Sequence, residues 1–422
     1  MKRYNSTTLA AKLIAALTLC IGSAASADDV TLTLASADQA GMMPERLARA
    51  LDLYRGAVSN GDLPGAVVLV ARQGKVVMYE ALGWRDVDAK LPMERDTMFR
   101  MASNTKPVTA TGIAILEQQG KLKYSDPVRL YIPTFDNYRA GFIQIHHLLT
   151  HTSGLRAGMP RFDPFIEPLM KPSRQHPDAP SLVLEVARFG AVGADVTPGT
   201  TYSYSNAGYN ALAALVELRS GNKFDVFMRD ALFRPLGMKD TYYREAAERL
   251  EGKLSRMGPL YLDRKDGRWQ TEWKPGEEPS APFPAGSHSL VSTAWDYATY
   301  CQMFLNGGSY GGQQILTPDT VAKVTTEHTT LMGITSEDYS LFSGAARERL
   351  LTNRSRMGYV SHKYGYGWRV DGETFFHGGS DGTFAWVDKR NGIVGVLLTQ
   401  TAGPTSYYLQ TPFRFLVTSA VR

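Results

Sequence analysis

The chain of 422 residues is short of cysteine, of long apolar runs and of excess charge. Its two cysteines, Cys20 and Cys301, are too few for a disulfide framework. The formal net charge of +5 is small and no basic patch stands out, which argues against a nucleic-acid partner. Internal repeats and long low-complexity runs are also absent, which excludes repeat architectures and extended disorder. The 43% of hydrophobic residues can fill the core of an ordinary globular protein.

The apolar stretch at the N-terminus is typical of a secretory signal. A basic start precedes the apolar segment from Leu9 to Gly22, and Ala25-Ser-Ala27 supplies the small residues of a cleavage site. The segment is too short to span a bilayer. Leu19 also stands where a lipoprotein signal has a small residue, so we expect no stable membrane anchor. We predict that residues 1–27 are removed and that the mature protein is periplasmic or secreted, the alternative being a tethering N-terminal helix.

A candidate nucleophile lies in the segment Phe99–Val108, which contains the pattern S-x-x-K. Ser103 and Lys106 are three residues apart, so a helix places both side chains on one face. A serine hydroxyl needs an adjacent base, and a lysine that stays neutral can be that base. Because Pro107 is tolerated only in a first turn, we predict that a helix begins near Asn104 with Ser103 at its mouth. For the tetrapeptide alone, the alternative is an N-cap serine followed by a chance lysine.

Patterns typical of strands lie at both ends of the chain, and patterns typical of helices lie between them. Turn signals at Gln73-Gly74 and Asn391-Gly392 predict two hairpins. We therefore predict an α/β (α+β) fold, in which one antiparallel sheet built from both ends is flanked by helices. A mostly helical domain is inserted between its two parts. The predicted limits are 1–27 for the signal, 28–120 and 285–422 for the two parts of the α/β domain, and 121–284 for the helical domain.

The individual elements are predicted from periodicity and from their start and stop residues. Residues 241–284 are rich in charge, proline and glycine, and we expect loops there with one strand pair. Cys301 lies in an apolar helical run and is predicted to be a buried small hydrophobe. Predicted strands are 66–71, 76–80, 366–370, 374–377, 383–387 and 393–399, and predicted helices include 43–59, 181–189, 206–220, 293–306, 412–421 and a segment that runs from Ile143 to a stop at Gly154.

A second motif, Tyr204-Ser-Asn206, comes just before a predicted helix. A tyrosine beside a lysine can be pushed toward phenolate and relay a proton from nucleophile to leaving group. Asn206 can hold both the lysine and a substrate carbonyl. The alternative is an aromatic turn in which Asn206 is only the helix cap.

A third motif, His377-Gly378-Gly379-Ser380, ends a predicted strand. Glycines at such a place let another backbone or a substrate approach closely. We predict that the N–H groups of Ser380 and Ser103 form an oxyanion hole. Taken alone, a glycine-rich strand end is usually only a turn.

Together, Ser103-x-x-Lys106, Tyr204-x-Asn206 and His377-Gly-Gly379 resemble the serine β-lactamase and penicillin-binding-protein superfamily on its class C side. The branch that they most resemble holds family VIII carboxylesterases, D-aminopeptidases and D,D-peptidases. The resemblance implies a β-lactamase/transpeptidase-like fold. It also implies an acyl-enzyme on Ser103, with Lys106 and Tyr204 sharing the proton transfers and with neither metal nor cofactor. Which of the two side chains is the general base is left open.

The third motif departs from the pattern of the family's β-lactamases, which usually have Lys-Thr-Gly there. His377 is a weaker and pH-dependent anchor for a substrate carboxylate. We therefore predict a serine hydrolase, first a carboxylesterase on short-chain esters. The alternatives are a D-aminopeptidase or D,D-peptidase, a weak β-lactamase, or a penicillin-binding protein that does not turn over. The expected partner is a small-molecule ester, amide or β-lactam substrate. Four aromatic residues are candidates for an apolar acyl pocket, although strand alternation turns half of them to the core: Tyr366, Trp368, Phe384 and Trp386.

Two further patterns are weaker. Gly378-x-Ser380-x-Gly382 matches the G-x-S-x-G elbow of α/β-hydrolases, but a strand is predicted after it and no histidine follows His377. His147 and His151 are four residues apart, as in zinc sites, but the glutamate of H-E-x-x-H is missing. We predict that these two histidines pack and make hydrogen bonds at helix ends.

Overall fold

The computed structural model describes residues 29–155, 174, 177–243, 250, 252–265, 267–277, 282–330, 363–401 and 404–422. The predicted signal and most of the loop 156–180 lie outside these residues. Within them, a large sheet has helices on both faces. The third motif ends one of its strands, and the first two motifs lie at the starts of helices. The predicted division of the chain at residues 120 and 284 stays a prediction.

The helices begin where the sequence supplies caps. Ser181, Ser205, Thr293 and Thr317 each accept a backbone N–H from the third residue after them, directly before a helix. The α-helices are α1 Pro44–Ser59, α2 Thr105–Gln118, α3 Ile145–Leu149, α4 Leu182–Val192, α5 Asn206–Ser220, α6 Phe224–Met228, α7 Ala294–Leu305, α8 Pro318–Thr325 and α9 Pro404–Ser419. Short 3₁₀ turns are Asp38–Ala40, Ala102–Asn104, Val128–Leu130, Pro133–Phe135 and Leu254–Arg256, and a π-helical turn, Arg229–Phe233, continues α6.

The strands come from both ends of the chain, as predicted, and from the segment near residues 241–284. They are β1 Thr33–Leu34, β2 Gly65–Arg72, β3 Lys75–Asp86, β4 Leu91–Pro92, β5 Phe99–Arg100, β6 Tyr242–Tyr243, β7 Leu260–Lys265, β8 Arg268–Trp273, β9 Leu290–Ser292, β10 Ser309–Tyr310, β11 Gln313–Gln314, β12 Arg369–Asp371, β13 Thr374–Gly378, β14 Phe384–Asp388 and β15 Ile393–Thr399. The pair β7–β8 is the predicted strand pair of the loop-rich region.

The large sheet has the strand order β1-β3-β2-β15-β14-β13-β12, and β4 pairs with β3 at its side. Strands from the two ends of the chain meet in the centre, where Val68 of β2 lies opposite Leu397 of β15. The pairs from β3 to β12 are antiparallel, which confirms the prediction for the body of the sheet. At the edge, β1 instead pairs parallel with β3.

Both faces of the sheet are covered by helices. On one face lie α1 and α9, and the rings of Tyr54 and Phe413 meet edge to face there at 5.3 Å between centroids. On the other face lies α7. Since both faces are buried, β2 is a continuous apolar run rather than an alternating one. Its odd residues face α7 and its even residues face α1 and α9: Val67, Leu69 and Ala71 against Ala66, Val68 and Val70.

Two predicted helix limits were wrong. The helix after Ile143 ends at Leu149 rather than near Gly154, because His151 takes the left-handed conformation with φ of 59° and breaks it. The last helix begins at Pro404 rather than Pro412. Pro412 is exposed, and its ring lies on the solvent side, where the backbone carbonyl that loses its N–H partner can bind water.

Cys301 is fully buried in α7, as predicted. Burial raises the pKa of its thiol above the ordinary value, and the thiolate is the reactive form. We expect iodoacetamide to leave Cys301 of the folded protein unmodified at mildly alkaline pH and to alkylate it rapidly in concentrated guanidinium chloride. Mass mapping of the peptide that contains Cys301 measures this. Equal rates of alkylation in the two conditions would contradict the burial.

Candidate active site

Ser103 lies in the 3₁₀ turn Ala102–Asn104, directly before α2, so the predicted helix start is confirmed. Ala102 has φ of 45°, a conformation that is strained for a residue with a side chain. The side chain of Thr383 holds this turn, because its Oγ1 accepts from Asn104 Nδ2 at 2.9 Å and donates to the Met101 carbonyl at 2.9 Å. These two hydrogen bonds hold the turn that carries Ser103 against Thr383, the residue before β14.

Lys106 is fully buried in the first turn of α2, and its amine faces oxygen atoms of Ser103, Asn206 and Ser287. Its Nζ lies 3.1 Å from Ser103 Oγ, 2.8 Å from Asn206 Oδ1 and 3.0 Å from the Ser287 carbonyl. Amide and backbone carbonyl oxygens only accept, so two N–H groups of Lys106 are directed at Asn206 and Ser287. A neutral amine held in this way turns its lone pair toward the Ser103 hydroxyl.

Tyr204 and Asn206 lie beside this pair. The phenol of Tyr204 is hydrogen-bonded to Ser103, and the Tyr204 ring centroid is 4.5 Å from Lys106 Nζ. Burial raises the pKa of Tyr204 above the ordinary value, so the phenol keeps its proton at neutral pH, opposite to the expected shift toward phenolate. Asn206 is the first residue of α5, and Ser205, rather than Asn206, is the cap.

The side chain of His377 is buried next to Tyr204 and is not exposed to solvent. It is buried, its ring centroid is 6.3 Å from that of Tyr204, and both ring nitrogens have protein partners. Nδ1 is 2.8 Å from the Gly378 carbonyl, and Nε2 is 2.9 Å from the Tyr364 hydroxyl. Since a carbonyl only accepts, Nδ1 carries the proton and Nε2 accepts from Tyr364. Burial, with Lys106 adding to it, holds the pKa of His377 well below the ordinary value, so the ring is neutral.

Gly379 and Ser380 follow at the end of β13. A Cβ built on Gly379 would lie 2.5 Å from the Met101 carbonyl and 2.3 Å from Thr383 Oγ1, so the glycine allows the close approach that was predicted. This packing brings the third motif against the nucleophile turn. Ser380 is exposed. The pairing of the Ser103 and Ser380 N–H groups in an oxyanion hole stays a prediction.

Substituting Gly379 by alanine should displace the loop that carries Ser380, because the backbone of Met101 cannot move aside easily. We expect kcat/KM for an ester to fall about 10- to 100-fold. The matched control is Gly378→Ala, whose added Cβ would meet its nearest atoms only at 3.8 Å. Steady-state kinetics of both variants tests this. Equal activities of the two would show that the close approach at Gly379 is not needed.

A family model described as Beta-lactamase matches residues 50–418, a span that includes all three motifs. The chain belongs to the Beta-lactamase family. The predicted resemblance is therefore confirmed at the level of the superfamily.

Relatives within the superfamily include proteins with different names. Protein Rv1367c of Mycobacterium tuberculosis (strain ATCC 25618 / H37Rv) is 31% identical over 289 residues, 64% of this chain and 69% of that protein. Esterase EstB of Burkholderia gladioli is 33% identical over 201 residues, which cover 46% of this chain and about half (51%) of EstB. The solved structure of EstCE1, a hydrolase with promiscuous acyltransferase activity, has a TM-score of 0.66 at 23% identity and covers 89% of this chain and 98% of EstCE1.

These findings show a β-lactamase-like fold and an enzyme that is a serine hydrolase. Within the described residues, no helix is both long and apolar enough to cross a bilayer. In the same residues, no group of three histidine, cysteine or acidic side chains is arranged to hold a metal ion.

Three residues outside the three motifs also contact the Beta-lactamase-family site. The Ser287 carbonyl binds Lys106, Tyr364 binds His377, and the Tyr209 ring centroid is 5.7 Å from Lys106 Nζ. Ser287 and Tyr364 lie in segments, 286–293 and 364–368, that look like the family, but nothing in their residue types indicates these contacts. The segment 364–368 is the more informative of the two, because Gly367 lets it pack closely on the helix that carries Lys106.

The weaker patterns are resolved by the same geometry. Ser380 is followed by strand β14 and its Oγ donates to Asp381, so the strand–turn–helix context of a nucleophile elbow is missing. His147 and His151 both accept backbone N–H groups next to helix starts, from Gln144 at 3.1 Å and Ser205 at 3.0 Å, as predicted. The four aromatic candidates for an acyl pocket are instead buried in the two cores.

Proposed function

We propose that the protein is an exported carboxylesterase that hydrolyses short-chain esters through an acyl-enzyme on Ser103. The serine hydrolase class follows from the family, and the ester preference rests on the state of His377. The contacts of Ser103, Lys106 and Tyr204 supply the proton transfers that ester hydrolysis needs.

The observation that carries the ester preference concerns the ring of His377, which is neutral and has a hydrogen-bond partner on each of its two nitrogens. Peptides that end in a D-amino acid and β-lactams both present a carboxylate, which a cation at the third motif would bind. Here the side chain at that position is buried, and its ring nitrogens are bonded to Tyr364 and to the Gly378 carbonyl. A neutral ester has no carboxylate to place, so this arrangement favours it over the other two substrate classes.

Acylation begins with the Ser103 hydroxyl, which attacks the ester carbonyl and forms a new C–O bond. Its proton passes to the lone pair of Lys106 Nζ, 3.1 Å away. The negative charge of the tetrahedral intermediate develops on the former carbonyl oxygen, where the N–H groups of Ser103 and Ser380 are proposed to stabilise it. Asn206 and Ser287 keep the amine in place during the transfer.

Collapse of the intermediate breaks the bond to the alcohol. Tyr204 donates its phenolic proton to the leaving alkoxide, and Lys106 returns the proton that it holds to Tyr204. The high pKa of Tyr204 suits this role, since the phenol is protonated before each cycle. In deacylation a water molecule attacks the acyl carbonyl, gives a proton to the same pair of groups, and Ser103 leaves as the hydroxyl.

The test mixes the protein, without its first 27 residues, with three substrates under identical conditions. They are a p-nitrophenyl ester of a short acid, a chromogenic cephalosporin and a peptide ending in D-Ala-D-Ala. Product release gives kcat/KM, and intact-mass spectrometry detects any covalent adduct. We expect kcat/KM for the ester to exceed the values for the other two by at least about 100-fold.

Other results would replace the proposal. Faster cleavage of the peptide would make the protein a D,D-peptidase. A stable cephalosporin adduct without ester turnover would make it a penicillin-binding protein, and rapid cephalosporin hydrolysis would make it a β-lactamase.

Export is the second part of the proposal and rests on the N-terminal pattern of residues 1–27. We expect the protein expressed from its full sequence in a Gram-negative host to begin at Asp28 and to be released with the periplasmic fraction. N-terminal sequencing of that fraction checks the cleavage site. A chain that keeps Met1 and sediments with membranes would instead indicate a tethering helix.

A further inference from the structure

We propose that His151 is a positioning residue, which holds the segment Tyr204–Asn206 against Lys106 by accepting the Ser205 N–H. The inference rests on the proposed function only in that Ser103, Lys106 and Tyr204 are taken as the reacting groups. His151 touches neither Ser103 nor a place where a substrate carbonyl would sit, so its effect passes through the residues that it orients.

The ring of His151 packs on Tyr209 and Tyr364, and its remaining contacts include three to the second motif and its neighbours. Its Nδ1 accepts the Ser205 N–H at 3.0 Å, and its carbonyl accepts the Ser203 N–H at 2.8 Å. Its ring lies against that of Tyr204, with 4.3 Å between centroids and 35° between planes. One residue therefore fixes both neighbours of Tyr204: its backbone carbonyl holds Ser203, and its side chain holds Ser205 and lies against the Tyr204 ring.

The Ser205 N–H has a particular importance because Ser205 caps α5. Its Oγ accepts from the Gly208 N–H at 3.1 Å, and α5 begins at the next residue, Asn206. The orientation of Ser205 therefore sets where the Asn206 side chain points. Asn206 Oδ1 in turn lies 2.8 Å from Lys106 Nζ. Two hydrogen bonds, joined by the peptide bond between Ser205 and Asn206, thus connect His151 to the amine that faces Ser103.

His151 has two unfavourable features that packing alone does not require. It takes φ of 59°, in the left-handed region that most residues with a side chain avoid. Its Nε2 is buried and has no hydrogen-bond partner among the described residues. An apolar side chain would avoid the unpaired Nε2, and asparagine or glycine would fit the backbone better. The feature that histidine adds to the ring is the Nδ1 acceptor.

The ring must also be neutral to act in this way. An Nδ1 that accepts an N–H carries a lone pair, so the single ring proton is on Nε2. Burial lowers the pKa of His151 well below the ordinary value. The acceptor is therefore present at neutral pH.

Two substitutions distinguish the effect of the Nδ1 acceptor of His151 from the effect of its aromatic ring. His151→Phe keeps an aromatic ring next to Tyr204 and removes the acceptor. His151→Asn removes the ring, but its Oδ1 can take the place of Nδ1, and asparagine tolerates the left-handed backbone. The matched control is His147→Phe, which removes a similar acceptor of a backbone N–H, that of Gln144, outside the site.

The measurement is the rate at which a fluorophosphonate probe labels Ser103, together with kcat and KM for the p-nitrophenyl ester. All rates are taken well below the thermal midpoint of each variant and are expressed per folded molecule. For His151→Phe we expect labelling and kcat to fall about 10- to 100-fold with KM changed less than about threefold. We expect the rates of His151→Asn to be at least about fivefold higher than those of His151→Phe. The rates of His147→Phe should stay within about twofold of the wild type.

A merely structural role predicts that activity follows thermal stability instead. Wild-type rates in His151→Phe, or rates in His151→Asn as low as in His151→Phe, would overturn the role of the acceptor. A wild type that labels at Ser103 but cleaves no ester would overturn the esterase proposal alone, because the labelling rates of the variants still decide the role of His151. A wild type that neither labels nor cleaves would overturn both.

Discussion

Ser103→Ala should abolish the hydrolysis of every substrate that the wild type accepts, with kcat lowered about 10⁴-fold or more. The Ser103 hydroxyl oxygen lies 3.1 Å from Lys106 Nζ and is also hydrogen-bonded to the Tyr204 phenol. Without it, no covalent intermediate forms, and water would have to attack directly. The fold should be kept, because the turn that holds Ser103 is fixed by Thr383 and Asn104 rather than by the Ser103 side chain.

The measurement compares ester turnover and intact mass of Ser103→Ala with those of Ser380→Ala. Ser380→Ala removes the hydroxyl that a G-x-S-x-G nucleophile would need and keeps the backbone N–H that the oxyanion hole needs. We expect an acyl adduct on Ser380→Ala and none on Ser103→Ala, with the activity of Ser380→Ala within about tenfold of the wild type. Undiminished turnover by Ser103→Ala would disprove the assignment of the nucleophile, and loss of all activity in Ser380→Ala alone would move it to Ser380.

Much of the sheet was predictable because its signals are local. Gly74 and Gly392 take positive φ values of 76° and 66° in the two predicted turns, as glycine does readily, and Gln73 joins Gly74 with φ of 49°. The alternation of β2 between two cores explains why its apolar run is continuous. The parallel pairing of β1 was not predictable, since a strand of two residues has no periodicity.

The residues proposed to be catalytic were also predictable, since Ser103 and Lys106 lie within one helical turn and Tyr204 lies in the turn that enters α5. The environment of these residues was not. Lys106 binds a backbone carbonyl at Ser287, which has no signature in the residue type. Tyr364, in a segment with no assigned role, pairs with His377. Burial by such distant segments raises the pKa of Tyr204 and lowers that of His377, and the residue types alone do not indicate either direction.

Lys106→Met should lower kcat/KM for esters roughly 10³-fold and leave the fold intact. Methionine has nearly the length of lysine and suits a fully buried position, but it has no lone pair that can take the Ser103 proton. The carbonyl oxygens of Asn206 and Ser287 lose a hydrogen-bond donor, which destabilises the folded protein. The variant also no longer buries an amine, which stabilises the folded protein because the desolvation cost of that group disappears. We expect the free energy of unfolding to change by no more than about 3 kcal/mol. Denaturant titration and ester kinetics on the same sample measure both quantities.

Asn206→Asp tests whether Lys106 is the general base without removing the lysine itself. The substitution keeps the shape of the side chain and places a carboxylate about where Oδ1 lies, 2.8 Å from Lys106 Nζ. A carboxylate at that distance stabilises the ammonium form and raises the pKa of the lysine by roughly 1–3 units. Since the base exists only above this pKa, the acidic limb of kcat/KM should move to higher pH by the same amount, and activity should recover in alkaline buffer. An unchanged pH profile in Asn206→Asp, together with an active Lys106→Met, would show that Lys106 is not the base and would assign the proton transfer to Tyr204.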